Sequence, residues 1–190
     1  MQLRHAVGMN DPASGWHSRG YVPHFDAPQV AQTVVFRLAD SLPRHLVPAR
    51  LRAPEAAQEL DVGLDKGDGA CWLNRPEIAA EIENALLHFD AERYFLLAWC
   101  VMPNHVHVMV EMRDCFRLGD QVRSWKTFSA RRANERLRRT GPFWSADYFD
   151  RFVRGDRHYE IALNYIEYNP VKAGLVSAPE LWRWSSAHRR

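Results

Sequence analysis

The chain is predicted to fold as an α+β protein, a ferredoxin-like antiparallel sheet with helices packed on one face plus an additional C-terminal helix. Two observations predict this. Segments of strand and helix character follow one another as strand, helix, strand, strand, helix, strand, with a further helix last, which is the order of an α+β sandwich. The two middle strands are separated by only Pro103 and Asn104, so they must run antiparallel. In the usual strand order of this architecture the first and third strands are central.

Taken in order, residues 1–20 mix Gly, Ser, Pro, Asn and His without periodicity and read as a loose arm. Residues 32–38, QTVVFRL, are β-branched and aromatic and form the first strand. Residues 42–59 carry enough Leu, Ala and Glu for helical turns, but Pro43, Pro48 and Pro54 break them into short pieces. Residues 61–69 hold three aspartates and three glycines. Their spacing does not alternate as a calcium loop requires, so they read as a polar turn. Asn74 caps the first helix, Pro76 lies in its first turn, and Ile78, Ile82, Leu86 and Phe89 recur at helical spacing. Strands follow at 94–102 and 105–111. Residues 118–139 have few breakers and form a long second helix, with Val122, Trp125, Ser129, Ala133 and Leu137 near one face. Gly141 and Pro142 end it, 148–154 is the fourth strand, and Asp156 caps a third helix that Pro170 stops after Asn169.

The third strand carries the first chemical signal. Side chains alternate along a strand, so His105, His107, Met109 and Glu111 share one face and Val106, Val108 and Val110 the other. The valines belong to a core. Two imidazoles one residue apart can converge on a single ion, or they can simply face water from a half-exposed strand. On the last helix Tyr165 and Asn169 are four residues apart and stack on one face, with Tyr168 near and with Ile161 and Ile166 placed to anchor the helix. If that helix lies across the sheet, the Tyr165 hydroxyl and the Asn169 amide oxygen meet an ion held by His105 and His107. A phenol is a weak nucleophile at neutral pH and needs an activated electrophile, which a metal-bound phosphodiester supplies.

Net charge is only +2, so a nucleic-acid surface has to come from a local concentration of cations. Between Arg117 and Arg139 there are eight basic residues against Asp120 and Glu135. That helix is either a solvated face or a phosphate-binding one, with Trp125 and Phe128 available for stacking. Arg123, Lys126, Arg131 and Arg132 are the candidate phosphate contacts. Cys71, Cys100 and Cys115 are odd in number and form no Cys-x-x-Cys pair, which argues against a disulfide framework or a cysteine zinc site. No apolar run approaches the roughly 18 residues of a membrane span, and the N-terminus lacks the apolar core of a signal peptide, so a soluble cytoplasmic protein with no membrane partner is expected.

Residues 102–107, MPNHVH, resemble the histidine-hydrophobic-histidine motif of HUH single-strand DNA endonucleases. Further stretches resemble the REP-associated tyrosine transposases: Arg19 to Tyr21 with Pro23 to Asp26, Phe36 to Pro43, Ser124 to Lys126, Phe143 and Trp144, Tyr148 to Arg151, Tyr165 to Leu175, and Trp184 to Ala187. The set runs in order over nearly the whole chain. The resemblance implies a single HUH transposase-like domain at 21–190 behind a flexible arm at 1–20. It implies cleavage and transfer of single-stranded DNA at palindromic hairpin repeats, through a 5′-phosphotyrosine and a free 3′ hydroxyl. Tyr165 falls at the nucleophile position, His105 and His107 at the ligand positions for Mg2+ or Mn2+, and Asn169 where relatives place a polar third ligand. A monomer is implied, with the tyrosine-sharing dimers of insertion-sequence relatives as the alternative. Two other readings are a repeat-hairpin binder that does not cleave and a histidine-triad nucleotide hydrolase, whose pattern wants a third His where this chain has Met109.

Overall fold

The computed structural model describes residues 15–18, 23–26, 28–42, 63–64 and 67–190. A short hairpin comes first, β1 (Gly15–Ser18) paired antiparallel with β2 (Pro23–Asp26). Residues 15–18, read from sequence as part of a loose arm, pair with β2 although they carry no hydrophobic alternation of their own, and residues 1–14 lie outside the described residues. Then follow β3 (Ala31–Arg37), α1 (Pro76–Leu87), β4 (Tyr94–Val101), β5 (His105–Met112), α2 (Leu118–Leu137), β6 (Phe149–Phe152) and α3 (Asp156–Lys172). Residues 43–59, where broken helical pieces are predicted, lie outside the described residues.

The main sheet has the order β4-β5-β3-β6, all neighbours antiparallel. The first and third strands of the predicted series, β3 and β5, are thus the central pair of the ferredoxin-like arrangement. Their register sets Val34 opposite Val108 and Phe36 opposite Val106, so one face of both strands is apolar. Helices α1 and α2 cover that face. Ile78, Ile82 and Leu86 of α1 and Val122, Trp125 and Ala133 of α2 pack with Val106, Val108 and Val110 into the main core. Each fully buried valine contributes about 2 kcal/mol of hydrophobic stabilisation. Inside this core the Trp125 indole donates to the Tyr94 hydroxyl at 3.0 Å, which donates to the Leu86 carbonyl, so both polar handles are satisfied.

A β-bulge at Leu97 lets β4 serve both faces. Leu96 stands opposite Val110 and Ala98 opposite Met109, so the extra residue moves Ala98, Cys100 and Met102 to the histidine side while Trp99 and Val101 stay with the main core. There α3 docks alone: Ala162 and Ile166 pack on Ala31, Ala98, Cys100, Met102 and Met109. Small side chains on sheet and helix permit this close approach. The C-terminal segment then fastens the helix. Ser186 Oγ donates to Glu167 Oε1 at 2.8 Å and accepts from the Trp99 amide at 3.2 Å, and Trp184 O accepts from the Val101 amide.

Three helix boundaries differ from the sequence reading. Asn74 closes a 3-10 turn, and Arg75 precedes Pro76 as the cap of α1. Gly155, at φ +150°, caps α3 in place of Asp156, which becomes its first residue. Pro170 does not stop α3, which runs on to Lys172 and ends at Gly174, φ +70°. A proline costs one amide hydrogen bond, and docking of the preceding turns tolerates that loss. Among the described residues, no helix is long and apolar enough to cross a membrane.

Candidate active site

The face of β5 opposite the valines is closed, not solvated. Beneath α3, His105 is 0% and His107 2% exposed, which disposes of a half-exposed strand whose histidines face water. Their Nε2 atoms approach to 2.9 Å, and Asn169 Nδ2 lies 2.9 Å from His107 Nε2. Three side chains from two elements thus converge, two from one strand face and one from the helix above. Deep burial, with His107 beside it, holds His105 well below the ordinary imidazole value and keeps it neutral, the form that offers a lone pair.

The donor set suits a hard or borderline divalent cation. Two imidazole nitrogens favour a borderline ion and an amide oxygen a harder one, so the set is open to a divalent cation without selecting which. The Asn169 Oδ1 is buried and has no hydrogen-bond partner, while its Nδ2 faces His107, so the amide would turn over to offer its oxygen to a cation. No group of three His, Cys, Asp or Glu that could hold a metal gathers among the described residues, so three donors would meet here only if the amide were one of them.

Tyr165 lies one turn before Asn169 on the same face of α3, and its ring centroid is 5.9 Å from that of His107, nearly edge-on. The Lys172 ammonium sits 3.9 Å from the Tyr165 ring centroid. Tyr165 and His107 both open onto a cleft of about 310 Å3 between α3 and the β3–β6 edge, with Phe149, Arg151 and His158 also in its wall. Of the two histidines, His107 lines this cleft. Tyr168 is 50% exposed, and Tyr148 is buried in a stack on His24. Ile161, placed by its spacing to anchor the helix, is instead 56% exposed; Ala162 takes that position in the core.

The basic face of α2 divides on inspection. Arg123 and Arg131 are exposed, with only loose ion pairs to Asp120 and Glu135 at 3.6 and 3.8 Å. Arg132 and Arg136 both pair with Glu81, so they clasp α2 to α1. Lys126 turns inward and donates to the carbonyls of Ala146 and Asp147 at 2.9 and 3.3 Å. Burial lowers its pKa to about 8, with Arg37 adding to the fall and Asp147 opposing it. Trp125, considered for stacking on bases, is in the core, whereas Phe128 is exposed.

One charged cluster escaped the sequence reading. His24 of β2, buried, bonds Asp150 through Nδ1 at 2.5 Å and Asp147 through Nε2 at 3.1 Å. Burial by itself disfavours the imidazolium, but the two carboxylates outweigh it and raise the pKa to about 9. The cluster pins the N-terminal hairpin to the strand that lines the cleft. The partners are more than 120 residues apart, so no local pattern announces them.

Residues 75–169, 95 of the chain's 190, match the family model described as IS200-like transposase. A REP-associated tyrosine transposase of Haemophilus influenzae is 27% identical over 103 residues, covering 49% of this chain and 58% of that protein. That of Escherichia coli is 25% identical over 109 residues, covering 57% of this chain and 64% of that one. The chain therefore spans less than two thirds of the length of these curated relatives. Among solved structures, a REP-associated tyrosine transposase bound to a REP hairpin superposes with a TM-score of 0.57 at 17% identity, over 87% of this chain and 81% of that chain. That likeness shows a shared fold.

Proposed function

The chain belongs to the IS200-like transposase family, and from that premise we propose that it is a sequence-specific single-stranded DNA endonuclease and strand transferase acting on REP-type palindromic hairpins. One observation carries the reading: His105, His107 and Asn169 converge beneath α3, with Tyr165 of the same helix beside them at the mouth of a cleft.

Tyr165 is the nucleophile. Its phenolic oxygen forms a bond to phosphorus as the bond from phosphorus to the 3′ oxygen breaks. The proton lost by the phenol balances the one taken up by the 3′ oxygen, which leaves as a hydroxyl, and the 5′ side stays on the protein as a phosphotyrosine. His105 and His107, with Asn169 as third ligand, would hold Mg2+ or Mn2+. When bound there, such an ion draws charge from a non-bridging phosphate oxygen and fixes the group's orientation. Lys172 supplies positive charge next to the tyrosine, where the anionic backbone has to enter. Burial of the histidine pair excludes bulk water, which favours attack by the tyrosine over hydrolysis. The Tyr165 ring beside that of His107 in one chain supports a centre assembled within a single copy over tyrosine-sharing dimers.

The test uses a single-stranded oligonucleotide carrying the palindrome repeated beside the coding region in the host genome, with Mg2+ or Mn2+. A covalent protein–DNA adduct forms with the native protein and is absent with Tyr165→Phe. An adduct with the Phe variant refutes the assignment of Tyr165. His105→Ala combined with His107→Ala abolishes cleavage but leaves hairpin binding. Hairpin binding by the native protein with no adduct under either metal would place it among non-cleaving repeat binders.

A further inference from the structure

We propose that Asn104 is the positioning residue of this centre: gripped by the backbone carbonyls of Leu64 and Asp68, it holds His105 in the tautomer whose Nε2 lone pair faces His107. The proposal rests on the metal reading above, in that it assigns the lone pair a use.

Asn104 sits in the two-residue turn between β4 and β5 and is buried. Its Nδ2 donates to Leu64 O at 3.0 Å and to Asp68 O at 3.1 Å. Carbonyl oxygens only accept, so the amide nitrogen must be the end that meets them, and the orientation of the amide follows. Oδ1 is thereby turned to His105 Nδ1 at 2.7 Å. An amide oxygen also only accepts, so Nδ1 carries the hydrogen. A neutral imidazole has one N–H, and Nε2 is left bare, 2.9 Å from His107 Nε2. Imidazole free in water favours the opposite tautomer, so this one needs an acceptor held in place.

The turn around Asn104 is built to stay still. Its backbone is bonded on three sides, with Leu38 N donating to Asn104 O, Leu73 N to Pro103 O and Met102 N to His105 O. The two carbonyls that hold its side chain come from a segment before the family match. There Gly67 N bonds back to Leu64 O, Ala70 N bonds Asp40 Oδ2, and Leu64 is buried against Leu42, Val35 and Phe149. The polar turn is thus an outer wall of the proposed centre. In metal sites, partners of this kind, which fix the ring and tautomer of a ligand, are worth about 10–100-fold in metal affinity.

The experiment reads the tautomer directly. In metal-free protein with 15N-labelled histidine, two-bond 1H–15N correlations, assigned with His105→Asn, show His105 protonated on Nδ1 and bare on Nε2. A His105 protonated on Nε2 in the native protein overturns the proposal, whatever the variants do. In Asn104→Leu, of similar size but without an acceptor, His105 shifts towards the Nε2–H form and Mn2+ affinity, titrated by electron paramagnetic resonance of the free ion, falls ~10–100-fold. Asn104→Asp keeps an acceptor for Nδ1, retains the native tautomer and binds Mn2+ more tightly than the Leu variant. A purely structural role for Asn104 would lower stability in both variants and leave the tautomer of the folded protein unchanged, which also overturns the proposal. The native tautomer with no Mn2+ binding removes the metal reading; Mn2+ binding with the wrong tautomer removes Asn104 alone.

Discussion

Replacing His24 by Gln should flatten a pH dependence of stability that the native protein shows between pH 6 and pH 8. The imidazole is buried between Asp147 and Asp150, and its pKa is raised from 6.5 to about 9. A raised pKa on a base means that the charged form is stabilised by folding. The contribution is therefore fully present below the unfolded value of 6.5 and is lost as pH rises through about 9. The whole window corresponds to roughly 3 kcal/mol, of which about 2 kcal/mol has gone by pH 8. Lys126, in the same cluster, acts with the opposite sign, because its pKa falls from 10.5 to about 8 and stability returns as it deprotonates. Its window opens where that of His24 is closing, so a shallow minimum in stability is expected near pH 8 to 9. Urea unfolding followed by tryptophan fluorescence measures this. With a slope of about 2 kcal/mol per molar urea, the native midpoint should drop by about 1 M from pH 6 to pH 8, less any gain from Lys126, and that of His24→Gln should drop much less. Parallel pH profiles for the two proteins would refute a charged His24 clasp. Asp147→Asn, which removes the charge of the less buried partner and keeps the ring, should give an intermediate slope.

Two further outcomes follow from the same geometry. At Gly69, φ is +88° and an added Cβ would lie 2.6 Å from Asp40 O, so Gly69→Ala should cost about 2 kcal/mol and lower the melting temperature by ~4–8 °C. An unchanged melting temperature in a calorimetric scan would show that the turn relaxes freely and does not brace Asn104. Hairpin affinity should fall steeply with salt; Arg123→Ala or Arg131→Ala should each reduce the slope of log K against log salt by about 1, whereas Lys126→Ala, whose ammonium is already engaged by carbonyls, should leave it unchanged. A flat salt dependence in a fluorescence anisotropy titration would take α2 out of the DNA-binding surface.

Much of this protein is determined by its sequence alone, wherever the determining interactions are local. The alternation in His105 to Glu111 assigns valines and histidines to opposite faces without reference to any other segment, and the Pro103–Asn104 turn forces β4 and β5 to be antiparallel. The spacing of Tyr165 and Asn169 likewise puts them on one helical face before any packing is known. From those rules came the element order and the faces on which the candidate residues lie; the central position of β5 came from the usual strand order of the fold, and the grouping of His105, His107, Asn169 and Tyr165 was implied by the family resemblance. Tertiary structure decided what lies across space. Burial of the histidines depends on α3 closing over them, through the Leu97 bulge, small residues on the sheet and the Ser186–Glu167 fastening, none of which a periodicity reveals. Chain termini of elements shifted where docking outweighed a local preference, as when α3 ran through Pro170. The His24 clasp and the hold of Leu64 and Asp68 on Asn104 join residues 36 or more positions apart, by hydrogen bonds to single atoms, among them backbone carbonyls that every residue possesses. A sequence can therefore name the side chains of a centre such as this, but the bonds that orient them are distributed over the whole fold.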